Sequence, residues 1–171
     1  MSDVDAVNLA LLVFRVAVGA VMVAHGYNHV WGGGKIAGTA AWFESMGMRP
    51  AKVHAWLASI TELGAGALLV LGLLTPFAAA GVIGVMAVAW ITAHRTNGFF
   101  IFRPGQGWEY VMVLLVCGVL LGAVGPGEWS LDDALELSDD LIGVTGLVIA
   151  VVAGGGGAAA LLAACWRPQR A

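Results

Sequence analysis

The stretch at residues 53–94, VHAWLASITELGAGALLVLGLLTPFAAAGVIGVMAVAWITAH, decides the fold. Its one carboxylate is Glu62, and Pro76 divides it into two apolar runs. Each run has about the 20 residues that a helix needs to cross a bilayer. Since proline is tolerated in the first turn of a helix but not in its interior, the chain turns just before it. The stretch therefore predicts a tight hairpin of two membrane spans, at residues 53–75 and 76–94.

Three further apolar runs lie outside this hairpin, at residues 6–30, 108–124 and 141–165. The chain of 171 residues is 60% hydrophobic and only 11% charged, with a mean hydropathy of +0.88. This small number of polar residues cannot cover the surface of a water-soluble monomer. A bilayer is therefore the expected solvent. The net charge of −3 argues against nucleic-acid binding, which needs a concentrated basic face. The predicted fold class is an all-α integral membrane protein with five spans.

The basic residues outside the spans all fall on one side of the predicted membrane. They are Lys35, Arg49, Lys52, Arg95, Arg103, Arg167 and Arg170. The opposite side receives Asp3, Asp5 and an acidic loop at residues 128–140. Because lysine and arginine near span ends stay on the cytoplasmic side, we expect the N-terminus outside and the C-terminus in the cytoplasm.

Several segments between or within the spans have expected roles of their own. Residues 35–48 predict an amphipathic helix at the membrane surface. The apolar run at residues 97–102 is too short to span and is expected to fold back against the bundle. Glycines such as Gly118 and Gly122 favour close helix packing, within the chain or between copies in a homo-oligomer. The glycine run at residues 154–157 is expected to stay helical, since lipid penalises unpaired backbone groups.

Among the ionisable side chains inside a predicted span or at its mouth, five are the main candidates for function. They are Arg15, His25, Glu62, His94 and Glu109. Such groups cost several kcal/mol unless they are paired, so they are the candidates for ligand binding or proton handling. Measured from the outer ends of the spans, Arg15 lies about 14 Å deep and Glu62 about 20 Å deep. We therefore expect Arg15 to form an ion pair with Glu62.

Helical geometry brings several of these residues toward one pocket. At about 100° per residue, Arg15, His25 and His29 share one face of the first span. If that face looks into the bundle, it meets Glu62 and His94. Glu109 then lies near the mouth of the pocket. The predicted result is a polar pocket in the inner half of the membrane, below the surface helix.

Three interpretations of this pocket stay open. In the first, Arg15 and Glu62 are a structural ion pair and the histidines are hydrogen-bonded interface groups. In the second, the histidines and carboxylates bind a quinone and exchange protons with it, while apolar walls hold its ring and tail. In the third, His25 and His94 ligate a haem, or His25 and His29 share a metal. The third interpretation is the weakest, because histidine pairs arise often by chance.

Two other polar features have plainer interpretations. His54, beside Lys52 and Trp56, is expected to lie solvated at the inner membrane surface. The acidic loop at residues 128–140 is expected to be a solvated translocated segment, although its carboxylates would also suit a basic partner. No catalytic triad, phosphate loop or dinucleotide fingerprint is present in the sequence, so no catalytic residue is assigned.

A series of short motifs runs along the chain in order. They are Arg15 to Lys35 with His25-Gly26, Trp42 to Met48, Glu62 to Gly66, Gly72 to Pro76, His94 with Asn97 to Phe100, Glu109-Tyr110, and Gly125 to Asp132. Together they resemble the DoxX family of small bacterial membrane proteins. The resemblance extends from about Leu11 to Leu135, so we expect a DoxX-like domain at residues 1–135. The additional span then belongs to residues 136–171.

The resemblance implies a four-helix bundle in the bacterial plasma membrane, related to the small subunit of thiosulfate:quinone oxidoreductase. It implies a quinone- or thiol-linked redox assembly with partner enzymes, and its motif positions fall on the five ionisable residues given above. The fifth span departs from the family pattern and brings the C-terminus to the cytoplasm. A non-catalytic scaffold that docks redox proteins is the alternative function, and a proton or small-solute conduit is a further one.

Overall fold

The computed structural model describes residues 2–168, and its regular elements are helices. They are α1 (Asp3–Trp31), α2 (Lys35–Ser45), α3 (Ala51–Leu71), α4 (Thr75–Ala89), α5 (Glu109–Val124), α6 (Leu131–Ala134), α7 (Ser138–Leu141) and α8 (Gly143–Cys165). A π-helical turn at Trp90–His94 continues α4. The predicted all-α class is confirmed. The predicted basic residue Arg170 lies outside the described residues.

Four of these helices are long and apolar enough to cross a membrane, namely α1, α3, α4 with its π turn, and α8. Each lies within a few residues of a predicted span, so a multi-pass membrane protein is confirmed. The predicted span at residues 108–124 corresponds to α5, which is apolar but only 16 residues long. At about 1.5 Å per residue it measures about 24 Å, less than a hydrocarbon core of about 30 Å.

Helices α1, α3, α4 and α5 pack as an up-and-down bundle, and α8 lies outside it. Neighbours in the order α1, α3, α4 and α5 pack against one another, and α8 packs against α4 and α5. By contrast, α1 and α5 barely touch. The four-helix ring is therefore loosely closed on that side. The surface helix α2 packs across α1 and α3, as the amphipathic pattern at residues 35–48 predicts.

Glycines bring the helices close together inside one chain. A Cβ at Gly19 would lie 2.7 Å from the Gly66 carbonyl oxygen, so α1 and α3 are in backbone contact here. On α5, a Cβ at Gly118 would lie 2.9 Å from the Ile83 side chain of α4, and one at Gly122 would lie 2.5 Å from the Ala150 Cβ of α8. These glycines therefore serve packing within the bundle. Association between copies stays a prediction.

The two ends of the bundle differ in charge. We call the basic end the one that carries Lys35, Arg49, Arg95 and Arg167, and the acidic end the one that carries Asp3, Asp5, Glu128 and Asp132. At the basic end, α8 is joined to the linker between α2 and α3. The Arg49 N–H donates to the Cys165 carbonyl at 3.0 Å, and the Arg167 N–H donates to the Gly47 carbonyl at 2.8 Å. This pairing fixes the end of α8 over the bundle.

Arg15 is buried near the acidic end, away from the predicted pocket. Its guanidinium donates to the carbonyls of Leu69 at 2.9 Å and Val70 at 2.5 Å, and also to the carbonyl of Trp129. Leu69 and Val70 lie in the last turn of α3, which carries the negative end of the helix dipole, and the Leu69 carbonyl also accepts the Gly72 N–H. The predicted ion pair between Arg15 and Glu62 is therefore wrong.

The error arises from the offset between α1 and α3. Glu62 is level with Gly26, because a Cβ at Gly26 would lie 3.1 Å from the Glu62 Cβ. Arg15 precedes Gly26 by about 16 Å along α1, beyond the reach of its side chain. The first turns of α1 extend past the end of α3 and pack on the loop after α5. There the Asn8 amide donates to the Glu128 carboxylate at 2.7 Å.

Asp132 completes this region by capping α4. It is fully buried, and its two oxygens accept the N–H groups of Leu74 at 2.6 Å and Thr75 at 2.9 Å. Gly72 turns the chain with a φ of 65°, and a Cβ there would meet the Arg15 guanidinium at 2.9 Å. We call Arg15, Gly72 and Asp132 the hairpin clamp. The expectation that the whole acidic loop is solvated is wrong for Asp132.

Candidate functional site

A cavity of about 780 Å³ lies in the half of the bundle nearer the basic end. Its volume is within the range of about 300–1,000 Å³ that is usual for small-molecule sites. It is lined mostly by apolar side chains, from every long helix and from α2. The structure brings His25, His29, Glu62 and His94 together in its wall, as the sequence predicts, but Arg15 and Glu109 do not line it.

The most buried polar side chain in the cavity wall is Glu62, and it lies against His29. His29 Nδ1 lies 2.8 Å from Glu62 Oε2, and Glu62 is only 2% exposed. Neither atom has a hydrogen-bond partner elsewhere in residues 2–168. Since a carboxylate only accepts, the contact needs one proton between the two groups. The contact therefore places a hydrogen-bonded imidazole and carboxylate in the cavity wall.

The next polar group lies where α1 and α5 barely touch. The Tyr110 hydroxyl is 3.4 Å from His25 Nε2, and the two rings stack with centroids 5.9 Å apart. Tyr110 lines the cavity, whereas the preceding Glu109 accepts the Ile101 N–H at 3.2 Å and orders the loop before α5. The sequence analysis selected Glu109 and missed Tyr110. The hydroxyl of Tyr110, a polar group at the start of an apolar span, was the feature that could have indicated it.

His94 reaches the cavity from the π turn that ends α4. Its Nδ1 lies 2.9 Å from the Gln106 carbonyl, so Nδ1 carries the hydrogen and Nε2 is free to accept in the neutral ring. The Asn97 amide donates to the carbonyls of Ala93 and Gly105 and folds the following loop back onto α4. The expected packing of residues 97–102 against the bundle is found only in part, since the backbone of this run pairs with residues 107–109 and its four large apolar side chains are 37–79% exposed.

His54 is a cavity residue that sequence reasoning placed wrongly. It is 5% exposed instead of solvated, and it lies in the cavity wall. Its Nε2 lies 3.2 Å from the Arg49 carbonyl and so carries the hydrogen. The buried Nδ1 has no hydrogen-bond partner in the described part of the chain. An orphaned acceptor in a cavity wall is a natural contact for a ligand hydroxyl.

Metal binding has no support from the geometry of the described residues. Within residues 2–168, no group of three or more His, Cys, Asp or Glu side chains is arranged to hold an ion. The predicted metal candidates His25, His29 and His94 line the same cavity, but His29 faces Glu62 and His25 faces Tyr110. The polar groups therefore form a set of hydrogen-bond donors and acceptors.

A family model described as DoxX matches residues 10–95, half of the chain. The chain belongs to the DoxX family. The DoxX match covers most of α1, all of α2 and α3, and α4 with its π turn. It therefore includes all four histidines of the chain, which line the cavity, and Glu62. Tyr110 and α8 lie outside the DoxX match, and the predicted domain boundary at residue 135 stays a prediction. No curated protein and no solved structure matches the chain.

Proposed function

We propose that the protein is a quinone-binding membrane subunit or accessory of a quinone- or thiol-linked oxidoreductase assembly. The observation that carries the proposal is the buried pair of His29 and Glu62 in the wall of a largely apolar cavity between membrane-crossing helices. A lipid-soluble redox carrier needs both features, because its ring and tail are apolar and its oxygens gain and lose protons. A water-soluble substrate would need neither.

The polar side chains of the cavity suit the two oxygens of such a ring. A bound quinone supplies the two-electron chemistry, and the protein supplies the proton-bearing groups. The pair of His29 and Glu62 holds one proton next to the cavity. The Nδ1 atom of His54 and the Nε2 atom of His94 are acceptors for quinol hydroxyls, and the Tyr110 hydroxyl is a donor for a quinone oxygen.

The test compares Glu62→Gln with Glu109→Gln in protein purified with its native lipids. Glu109 is the matched control, because it is a carboxylate at the same end of the bundle that does not line the cavity. We expect an ultraviolet oxidised-minus-reduced quinone signal from the wild type and from Glu109→Gln. Glu62→Gln keeps the fold and loses the signal, or its affinity for added quinone falls about tenfold or more.

Two results would contradict this proposal. Equal quinone binding by Glu62→Gln and the wild type would remove the buried pair from the function. A flat difference spectrum in all three proteins, with no binding of added quinone, would favour the alternative function, a non-catalytic scaffold that docks redox proteins. A sharp visible band would instead indicate haem and would make His25 and His94 the ligands to replace.

We also propose that the basic end of the bundle faces the cytoplasm of a bacterial cell and that the N-terminus lies outside. The support is that Lys35, Arg49, Arg95 and Arg167 lie at one end of the bundle, whereas the loop at residues 128–140 has no basic residue. A green fluorescent protein fused to the C-terminus should then fluoresce in cells. A dark fusion of a well-expressed protein would reverse the orientation.

A further inference from the structure

The cavity continues from its histidines into a second region, which we call the apolar lobe. The apolar lobe is lined by Leu57 and Ala58 of α3, Gly84 and Val88 of α4, and Gly157 and Leu161 of α8. These lining residues carry no charge and no side-chain hydrogen-bonding group. Leu57 is 45% exposed and Gly157 is exposed as well, so the apolar lobe is a groove that opens at the surface of the bundle.

Small residues keep the apolar lobe open. A Cβ at Gly157 would meet no atom within 4 Å, whereas one at Gly84 would be in ordinary contact with the Gly154 carbonyl oxygen of α8 at 3.4 Å. One turn earlier on α8 the packing is quite different, since a Cβ at Gly154 would lie 2.6 Å from the Ala80 carbonyl oxygen. The space therefore begins where α8 leaves its close contact with α4.

The position of α8 is fixed on both sides of this space. Gly154 holds it against α4, and the backbone pairing of Cys165 with Arg49 ties its end to the linker before α3. Between these two points, α8 is barely in contact with α3. The groove between α8 and α3 therefore stays open at the surface of the bundle. Such a space is suited to an apolar occupant that enters from the lipid.

We infer that the apolar lobe binds the hydrocarbon tail of the same molecule whose ring binds among the histidines. The inference rests on the proposed function and adds that the ligand is a long-tailed quinone instead of a short or tail-less one. Continuity of the cavity supports a single occupant, because the polar wall and the apolar lobe belong to one continuous, half-open cavity. It also gives α8, which lies outside the DoxX match, a part in ligand selection.

Gly157→Leu tests the inference, with Gly156→Leu as its matched control. A Cβ at either position meets nothing within 4 Å, but only Gly157 lines the cavity. Tryptophan fluorescence, to which Trp42 in the cavity wall contributes, reports binding of a tail-less benzoquinone and of the same ring with an isoprenoid tail. Because the tail leaves detergent or lipid and not water, its gain comes from packing in the apolar lobe, and we expect the tail to strengthen binding to the wild type by about tenfold when the quinone concentration is expressed per micelle volume.

We expect Gly157→Leu to lose that tenfold gain and to bind the tail-less ring as the wild type does. Gly156→Leu should bind both quinones like the wild type. Gly157→Ala, a smaller change at the same position, should lose only part of the gain and serves as the test should the leucine variant fold poorly.

The possible failures are distinct from one another. Equal wild-type affinity for tailed and tail-less quinone, or equal weakening of both by Gly157→Leu, would overturn the inference and leave the proposed function standing. Absence of binding of either quinone would overturn the proposed function. If native mass spectrometry then found a phospholipid that Gly157→Leu releases and Gly156→Leu retains, the occupant of the apolar lobe would be an acyl chain of the bilayer.

Discussion

Replacing Arg15 with methionine removes the cation of the hairpin clamp while keeping a long side chain in its place. The guanidinium donates to three carbonyls, those of Leu69, Val70 and Trp129, and Asp132 is the carboxylate that acts on it electrostatically. Loss of one partner from a buried charged arrangement costs about 3–5 kcal/mol. For a chain of this size that corresponds to a fall in Tm of about 6–20 °C.

Thermal unfolding in detergent, followed by circular dichroism, measures this effect. Arg167→Met is the matched control, because the Arg167 guanidinium also donates to helix carbonyls, those of Ala163 and Ala164, but on an exposed surface. Exposed charge interactions contribute at most about 1 kcal/mol, so the control should lower Tm by less than about 4 °C. The folded fraction of Arg15→Met should still bind quinone, because Arg15 does not line the cavity.

Two results would refute this reasoning. If Arg15→Met and Arg167→Met lowered Tm by the same small amount, the hairpin clamp would not hold the two helices together. If Arg15→Met kept its Tm but lost quinone binding, the sequence-based assignment of Arg15 to the ligand site would be right, and the location of Arg15 in the structure would need another explanation.

Two further predictions concern the cavity and the packing that shapes it. Tyr110→Phe, which removes the hydroxyl near His25, should weaken quinone binding about fivefold with little change in Tm, and fluorescence titration would show it. Unchanged affinity would exclude the hydroxyl as a ligand contact. Gly66→Val should push α1 from α3, because a Cβ at Gly66 already lies 2.6 Å from the Gly19 carbonyl oxygen, and should lower the yield of monodisperse protein in size-exclusion chromatography. A normal yield and Tm would contradict the close backbone contact.

The helices could be predicted well because a bilayer imposes simple demands on a chain. A span needs a fixed length and an internally paired backbone, so the break before Pro76 and the helical state of residues 154–157 both follow from the sequence. In the structure, α3 ends at Leu71, α4 begins at Thr75, and the glycine run lies inside α8. The surface helix was equally accessible, since its apolar positions alternate with polar ones at helical spacing.

The partners of the polar residues could not be predicted in the same way. The depth of a residue in the membrane and the helix face on which it lies follow from the sequence of its own helix. A contact between two residues also depends on how far the two helices are shifted along their axes. Arg15 was expected to reach Glu62 because the spans were counted from a common level, but α1 starts well beyond the end of α3. His54 was misplaced for a related reason, since its burial in the cavity wall depends on how the helices pack together and not on its place within one span.

The shortness of α5 has a consequence for the surrounding membrane. At about 24 Å it falls about 6 Å below the thickness of a typical hydrocarbon core, and such a mismatch is relieved by local thinning of the bilayer. The thinned lipid would lie against α5, the helix that carries Tyr110 and that barely touches α1. Lipid headgroups would then lie closer to the gap between α1 and α5 than to the rest of the protein. A carrier diffusing in the membrane would meet its shortest route between bilayer and histidines at this depression.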